Sequence, residues 1–449
     1  MLKDAKEKIE IHLQRGQVQE LLGNWDEAES DYRAALELGK DDAARKVDAQ
    51  FALGKLHRLR GDYASALAWL GQVQVARTQL EDKAGLAQVL IETGWVLWRQ
   101  GDYAEARERL TAALALAQEA GAKLNAAQAL NNLGIVAWSQ GDYAAARALY
   151  GESLNLRREM GNKVGISHSL NNLALVARAQ GDYAAAQVLH EESLSLKREM
   201  GDKWGISTSL TNLGVVAMEK GDYAAARALH EESLSLYREM GDKAGIATSL
   251  INLATVAIDQ GDYAAARALY EESLSLYREM GDKRGIANSL NNLGIIAYSQ
   301  GDNGSARALY EECLLLCQEM GDKRVEAYAL LGLGLVNLAQ SKPVAREHIM
   351  DSLRLRVELG AQGTQTSNLV AVAGLALQAG NPHFAAQLLG AVDFALKALD
   401  APLEIEVKHL HAQTLAAVQA QLGEAVFQAV WETGGKWSLE EAVAKALTS

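Results

Sequence analysis

Residues 221–240, GDYAAARALHEESLSLYREM, return at 261–280 as GDYAAARALYEESLSLYREM, with His230 replaced by Tyr270 as the single change. The opening triplet Gly-Asp-Tyr also begins at Gly61, Gly101, Gly141 and Gly181, and Gly-Asp-Asn begins at Gly301, so the spacing is 40 residues. A fixed period of this length marks a stacked array, in which each unit buries its apolar face against copies of itself.

Before the triplet at Gly141, residues 124–140 (LNAAQALNNLGIVAWSQ) place Ala127, Leu130, Leu133, Gly134 and Ala137 at helical spacing, which predicts a helix with a small, apolar face. Gly141 suits the left-handed position past its end, and Asp142 suits the cap of the next helix. Residues 143–160 (YAAARALYGESLNLRREM) then put Ala146, Leu149, Tyr150, Ser153, Leu154 and Leu156 on one face, and Gly161 ends that second helix. Small residues at Gly134, Ala137 and Ala146 allow close approach, with Tyr143 and Tyr150 filling the gaps.

Extended along the chain, the pattern predicts helix pairs at 3–38, 42–80, 83–119, 123–160, 163–200, 203–240, 243–280, 283–320, 323–359 and 362–399. Residues 1–80 are divergent, 81–320 regular and 321–400 drifted, with Ser341 and Gly380 at the turn positions; 401–449 is a helical cap in which Phe427, Trp431 and Trp437 close the stack. Pro343, Pro382 and Pro402 each fall where a helix is expected to start. The fold class is all-α: a right-handed superhelical solenoid of about ten antiparallel helix pairs with a C-terminal helical cap.

Composition agrees. The chain has three prolines, 49% hydrophobic residues and only 6% aromatic ones, which favours helix over strand. A net charge of −13 argues against non-specific binding to nucleic acid or anionic membrane, both of which need clustered Lys and Arg. Two cysteines, Cys313 and Cys317, make no disulfide framework. With a charged start and no long apolar run, the expected location is the cytoplasm. There is no phosphate loop, paired-His zinc helix or nucleophile elbow, so no enzyme, metal or cofactor is expected.

The sequence Asn-Leu-Gly, Gly-Asp-Tyr, Ala-Ala-Ala-Arg-x-Leu-Tyr resembles the tetratricopeptide repeat (TPR), with Leu133, Gly134, Gly141, Tyr143, Ala146 and Tyr150 at the signature positions. Two departures are the 40-residue unit and the absence of a proline at the end of the second helix. Long units with a Leu-Asn-Asn-Leu start are similar to those of kinesin light chains, and the tail from LLGAVDFALKALD onward is similar to the end of the sensor arm of bacterial signal-transduction (STAND-type) ATPases. The resemblance implies protein or peptide binding on a concave side lined by first helices, or effector sensing where such an array serves an ATPase.

On that inner surface Asn132, Asn172, Asn212, Asn252 and Asn292 recur in five successive units. An Asn side chain donates and accepts, so a row of them suits the backbone of an extended peptide; similar Asn rows carry this role in kinesin light chains. The alternative is that these amides bond to neighbouring helices. The flanking positions vary: Asn131, Asn171 and Asn291 before the row, Gln128, His168, Thr208, Thr248 and Asn288 four earlier, and Arg178 further along, in line with Trp138, Met218, Ile258 and Tyr298. The predicted partner is therefore an extended protein or peptide segment with some apolar anchors and no strong charge selection, a basic or neutral one being easier to accommodate on a chain of this net charge. The protein is expected to be a monomeric interaction scaffold; the alternatives are a ligand- or partner-sensing regulatory arm of a bacterial signalling system, and end-to-end self-association. His190 and His230 replace the tyrosines of other units and read as core residues. Cys313 with Cys317, and His409 with His411, do not read as metal sites.

Overall fold

The computed structural model describes residues 2–40, 42–399 and 402–449, all of them helix, turn or connecting segment with no strand. They form two compact units, 1–221 and 222–449.

The first unit contains α1 (Leu2–Leu21), α2 (Trp25–Leu38), α3 (Ala43–Leu59), α4 (Tyr63–Gln79), α5 (Lys83–Gln100), α6 (Tyr103–Glu119), α7 (Lys123–Ser139), α8 (Tyr143–Glu159), α9 (Lys163–Ala179), α10 (Tyr183–Met200) and α11 (Lys203–Glu219). The second contains α12 (Tyr223–Met240), α13 (Lys243–Asp259), α14 (Tyr263–Met280), α15 (Lys283–Ser299), α16 (Asn303–Met320), α17 (Lys323–Ala339), α18 (Ala345–Glu358), α19 (Gln362–Gln378) and α20 (Pro382–Leu399), followed by α21 (Ile405–Leu422), α22 (Glu424–Gly434) and α23 (Leu439–Thr448).

The turns are built as their residues dictate. Gly141 takes φ 77°, left-handed backbone that costs glycine nothing, and Asp142 Oδ1 accepts from the Ala145 N–H at 3.0 Å, satisfying one of the free donors at the start of α8. The drifted turns keep the geometry with poorer chemistry: Ser341 holds φ 52° without being glycine. Pro382 opens α20, whereas Pro343 lies just ahead of Ala345, where α18 begins, and Pro402 lies in the non-helical lead to Ile405 of α21. Neither therefore opens its helix as expected; both stand ahead of the first turn and fix the approach of the chain to it.

Among the repeats of each unit every helix packs on the next, and alternate first helices also touch: α1 with α3, α3 with α5 and α5 with α7 in the first unit, α15 with α17 and α17 with α19 in the second. First helices thus form one layer and second helices another. Between layers, the hydroxyls of Ser153, Ser193 and Ser352 donate to the carbonyls of Ala127, Ser167 and Ala327 at 2.7–3.0 Å. Cys313 takes this place in α16, its thiol facing the Ala287 carbonyl at 3.2 Å, which explains one buried cysteine without any metal.

A second recurring joint escaped the sequence reading. In several repeats a long side chain near the end of the second helix lies over a glycine in the first turn of the next helix. A Cβ on Gly165 would stand 2.8 Å from Arg157 Cδ, one on Gly205 2.9 Å from Lys197 Cδ, and in the second unit Gly245 and Gly285 lie directly under the rings of Tyr237 and Tyr277. The buried Arg157 guanidinium donates to the Gly165 carbonyl at 2.8 Å and the Ser169 hydroxyl at 2.9 Å. Outside the core, ion pairs tie the two helices of a repeat to each other and second helices of successive repeats to one another. Lys123 meets Glu159 and Lys163 meets Glu199 at 2.9 and 3.0 Å, and Arg238 and Arg278 meet Glu272 and Glu312 at 2.8 and 2.7 Å. These pairs are exposed and each is worth only a fraction of a kcal/mol.

The three closing helices complete the largest core cluster of the second unit, where Phe427, Val443 and Ala446 are buried with Leu388, Leu389 and Val392 of α20. Trp431 packs on Phe427 with ring centroids 5.3 Å apart, and Trp437 on Phe384 at 6.5 Å.

Candidate functional site

The predicted row of asparagines lies on the first-helix layer, and its members are half-buried. In the first unit they bond to one another across repeats. Asn172 Nδ2 of α9 donates to Asn131 Oδ1 of α7 at 3.0 Å, and Asn212 Nδ2 of α11 donates to Asn171 Oδ1 of α9 at 2.8 Å. Asn131 and Asn132 also face each other at 3.4 Å. The row position of one helix therefore meets the preceding position of its neighbour. The same offset recurs where Asn125 donates to the Ala84 carbonyl at 2.8 Å and Trp98 Nε1 to the Ser139 hydroxyl at 2.8 Å. Around this row Gln128 and Thr208 are half-buried and His168 is exposed. Thr208 donates to the Trp204 carbonyl at 3.0 Å, and Arg178 reaches Glu219 at 3.7 Å. Trp138 is 43% exposed, so its ring is as much surface as packing.

In the second unit the row changes character. Ile251 stands where Asn131 and Asn171 stand, so it offers Asn292 no acceptor. Gly332 stands at the next row position, and Asn291 Oδ1 is buried with no hydrogen-bond partner. The reason for that glycine is steric, because the fully buried ring of Tyr310 lies against Gly332 and against Gly294. Thr248 is exposed and donates back to the Ala244 carbonyl at 2.9 Å; Asn252 and Asn288 are half-buried.

The chain beyond the repeats returns to this surface, which the sequence did not announce. The start of α21 touches α15 as well as α19 and α20, and Glu404, Ile405 and Glu406 close a cavity of about 320 Å³ over Asn288, Asn291, Asn292 and Tyr328. A larger cavity of about 800 Å³ shares Ile405 and Glu406 with it and is also lined by Tyr263, Tyr298, Leu335, Gln378 and His409. The lead into α21 is anchored by Arg356, which donates to Glu404 at 2.9 Å, also donates to the Thr364 carbonyl, and lies 4.7 Å from the centre of the Tyr328 ring. Burial pushes the Glu406 carboxyl up to about 7; the Glu404 charge adds to this and Arg356 opposes it.

His190 and His230 are fully buried, and neither ring nitrogen of either has a partner. Burial holds both imidazoles down at about 4, so both are neutral packing groups, in keeping with the tyrosines at this position in other repeats. His409 lines the larger cavity.

Two layers of short, interchangeable helix pairs with a polar row along one layer define a helical-repeat scaffold. The chain belongs to the tetratricopeptide-repeat family: a tetratricopeptide-repeat model matches residues 7–74, 125–199, 205–279 and 285–356, and a second matches 91–158 and 251–314. No curated protein sequence matches significantly. Among solved structures, the apo form of the quorum sensor NprR from B. thuringiensis is similar at 16% identity and a TM-score of 0.56, covering 78% of this chain and 99% of that one. The STAND protein with a tetratricopeptide repeat sensor from Pyrococcus horikoshii is similar at 12% identity and a TM-score of 0.53, covering 74% of this chain and 52% of that one. BtubC (BKLC) from P. vanneervenii is 21% identical with a TM-score of 0.43, covering 49% of this chain and 91% of that one. At these identities the likeness is one of fold. No described helix is long and apolar enough to cross a membrane.

Proposed function

We propose that this protein is an interaction scaffold that binds an extended peptide or protein segment along its first-helix layer. The observation that carries the reading is the row of half-buried amides running from helix to helix, with Asn172 and Asn212 already held in one orientation by the bonds to Asn131 and Asn171. An amide fixed through Nδ2 keeps its Oδ1 for a partner's backbone N–H, and ordering that side chain in advance lowers the entropy cost of binding. The flanking Gln128, Thr208 and Trp138 supply neutral polar and apolar contacts, which suits a segment without strong charge. The test is selection of peptides from a random-sequence display library on the full chain, followed by fluorescence anisotropy with the wild type and the Asn172→Ala/Asn212→Ala/Asn252→Ala variant. We expect at least a tenfold loss of affinity with unchanged helicity. Equal affinity removes the row from the interface, and failure to select any peptide removes the reading.

A sensing role is the second reading, favoured by the return of Glu404, Ile405 and Glu406 onto the row in the second unit. The name of the quorum sensor and the sensor of the STAND protein point the same way by analogy alone. In this role a ligand bound beside α21 alters how firmly the closing helices sit. Hydrogen exchange of residues 402–422 with and without a selected ligand tests it; unchanged protection counts against sensing.

A further inference from the structure

Buried charges in the second unit are met by partners. Arg356, 2% exposed, is paired with Glu404, and Asp322 meets Arg284 at 3.2 Å. Glu406 is held differently, its carboxyl accepting from its own backbone N–H in the first turn of α21 and sharing the nearest acting cation with Glu404. It is 93% buried, being 7% exposed, and it lines both cavities. Arg324 and Lys408 also line those cavities, yet the cation that acts on the Glu406 carboxyl is Arg356, and Arg356 is committed to Glu404. A carboxyl in such a place costs free energy whenever it ionises without a counter-charge, and an apolar residue would fill the position at no such cost.

What surrounds it is acceptor-rich. Asn291, 8% exposed, lines the same smaller cavity with its Oδ1 buried and unbonded. The Tyr328 ring forms part of the wall. Tyr298 and Tyr310 lie close enough to feel the Glu406 charge, which raises their phenols beyond what burial does, and the Tyr310 hydroxyl has no partner. A carboxylate, a free amide oxygen and aromatic faces around one small space form a set that a cation with N–H donors would complete.

We infer that the cavity beneath the start of α21 is a binding site for an alkylammonium group, either a small primary amine or the side chain of a lysine. The ammonium pairs with Glu406, donates to Asn291 Oδ1 and lies against Tyr328. A volume of about 320 Å³ accommodates a chain of several carbons, and the cavity of about 800 Å³ that shares Ile405 and Glu406 with it leaves room for what the amine is attached to. The site does not depend on peptide binding along the first unit, because Glu406 belongs to a different unit and no residue of α7, α9 or α11 lines either cavity.

The carboxyl is mostly protonated below neutrality, so binding the cation expels its proton. The groups that face it are Glu404, Lys408 and His409 on its own segment, Tyr298 of α15, Tyr310 of α16, Arg324 and Tyr328 of α17, and Arg356 of α18. Of the carboxyls in this set, the one pushed to about neutrality is that of Glu406. Affinity therefore rises with pH up to about 7, by as much as tenfold per unit, and levels off above it.

The experiment titrates the full chain with n-butylamine, with n-butanol as the uncharged control, and with a capped Gly-Lys-Gly tripeptide against its norleucine counterpart. Isothermal calorimetry in two buffers of different ionisation enthalpy reports the released proton. Saturable binding of the amine but not the alcohol, proton release below pH 7, and at least tenfold weaker binding to Glu406→Gln support the site. Binding of butylamine alone identifies a small amine as the ligand, and binding of the lysine tripeptide identifies a protein side chain. No saturable binding by either cation, or equal binding to Glu406→Gln in a chain whose circular dichroism is unchanged, overturns it.

Discussion

The side-chain amide of Asn172 donates to that of Asn131 one repeat away, at 3.0 Å, so a residue of the predicted binding row and one of its flanking candidates are also part of the joint between repeats. A hydrogen bond of this kind is worth about 1 kcal/mol net. Asn172→Ala and Asn131→Ala should each destabilise the first unit by about 1 kcal/mol, and the double variant should cost less than the sum, because either change alone breaks the same bond. Urea denaturation of the four members of this cycle is the measurement. Strict additivity would mean that the bond does not form in solution.

The joint between Tyr277 and Gly285 makes a sharper steric prediction. Gly285→Ala places a methyl against the Tyr277 ring and should cost about 1–3 kcal/mol through overpacking. Tyr277→Ala leaves a cavity and is costly alone, yet in that background Gly285→Ala should be neutral or mildly stabilising, since alanine favours helix over glycine by about 0.5–1 kcal/mol. Thermal melts of the two singles and the double separate this from a simple propensity effect.

The buried histidines set an acid limit. His190 and His230 are held at about 4 by burial, against about 6.5 in an unfolded chain. The unfolded state binds the proton first, so their contribution is fully present above pH 6.5 and is lost as pH falls towards 4. The loss is on the order of 3 kcal/mol for each histidine. Tyrosine fills the equivalent position at Tyr270, where it packs in the core with Ala254. His190→Tyr should therefore flatten the pH dependence of stability between about 4 and 6.5. A wild type and variant with parallel curves in that window would contradict neutral burial.

Glu406 acts with the opposite sign. Its folded carboxyl titrates at about 7, above the unfolded value, so the folded state binds the proton more tightly and stability declines as pH rises from about 4.5 to 7. Glu406→Gln should leave stability near pH 4.5 almost unchanged and raise it at about pH 8, by on the order of 3 kcal/mol. Chemical denaturation at the two pH values checks this; a variant less stable than the wild type in the alkaline sample would show that the carboxylate has a counter-charge after all.

Why the repeat was legible and the closing segment was not follows from the range of the interactions. Gly141, Asp142, Ala146 and Tyr150 act within one helix pair or on an adjacent copy, so period and residue type were enough to place both helices, the turn and the buried face. The same holds for His190, whose core role follows from the tyrosines at its position in other units. The Asn row was visible as a repeated letter, but its bonds run from one position to a different one in the next helix, and only the inter-helix offset reveals that Asn172 meets Asn131 and not Asn132. Likewise the glycine of Lys-x-Gly reads as a poor helix former until Arg157 or Tyr277 is seen lying across it.

Helix pairs, capped turns and the buried face of each repeat could all be read from the residues, because they depend on contacts that recur with the period. Where the unrepeated part of the chain goes is a matter of three-dimensional packing. Residues 402–408 have no copies to pack against. Their place beside Asn291, Tyr328 and Arg356 is set by long-range burial and by the Arg356–Glu404 pair, and such contacts leave no periodic trace in the sequence.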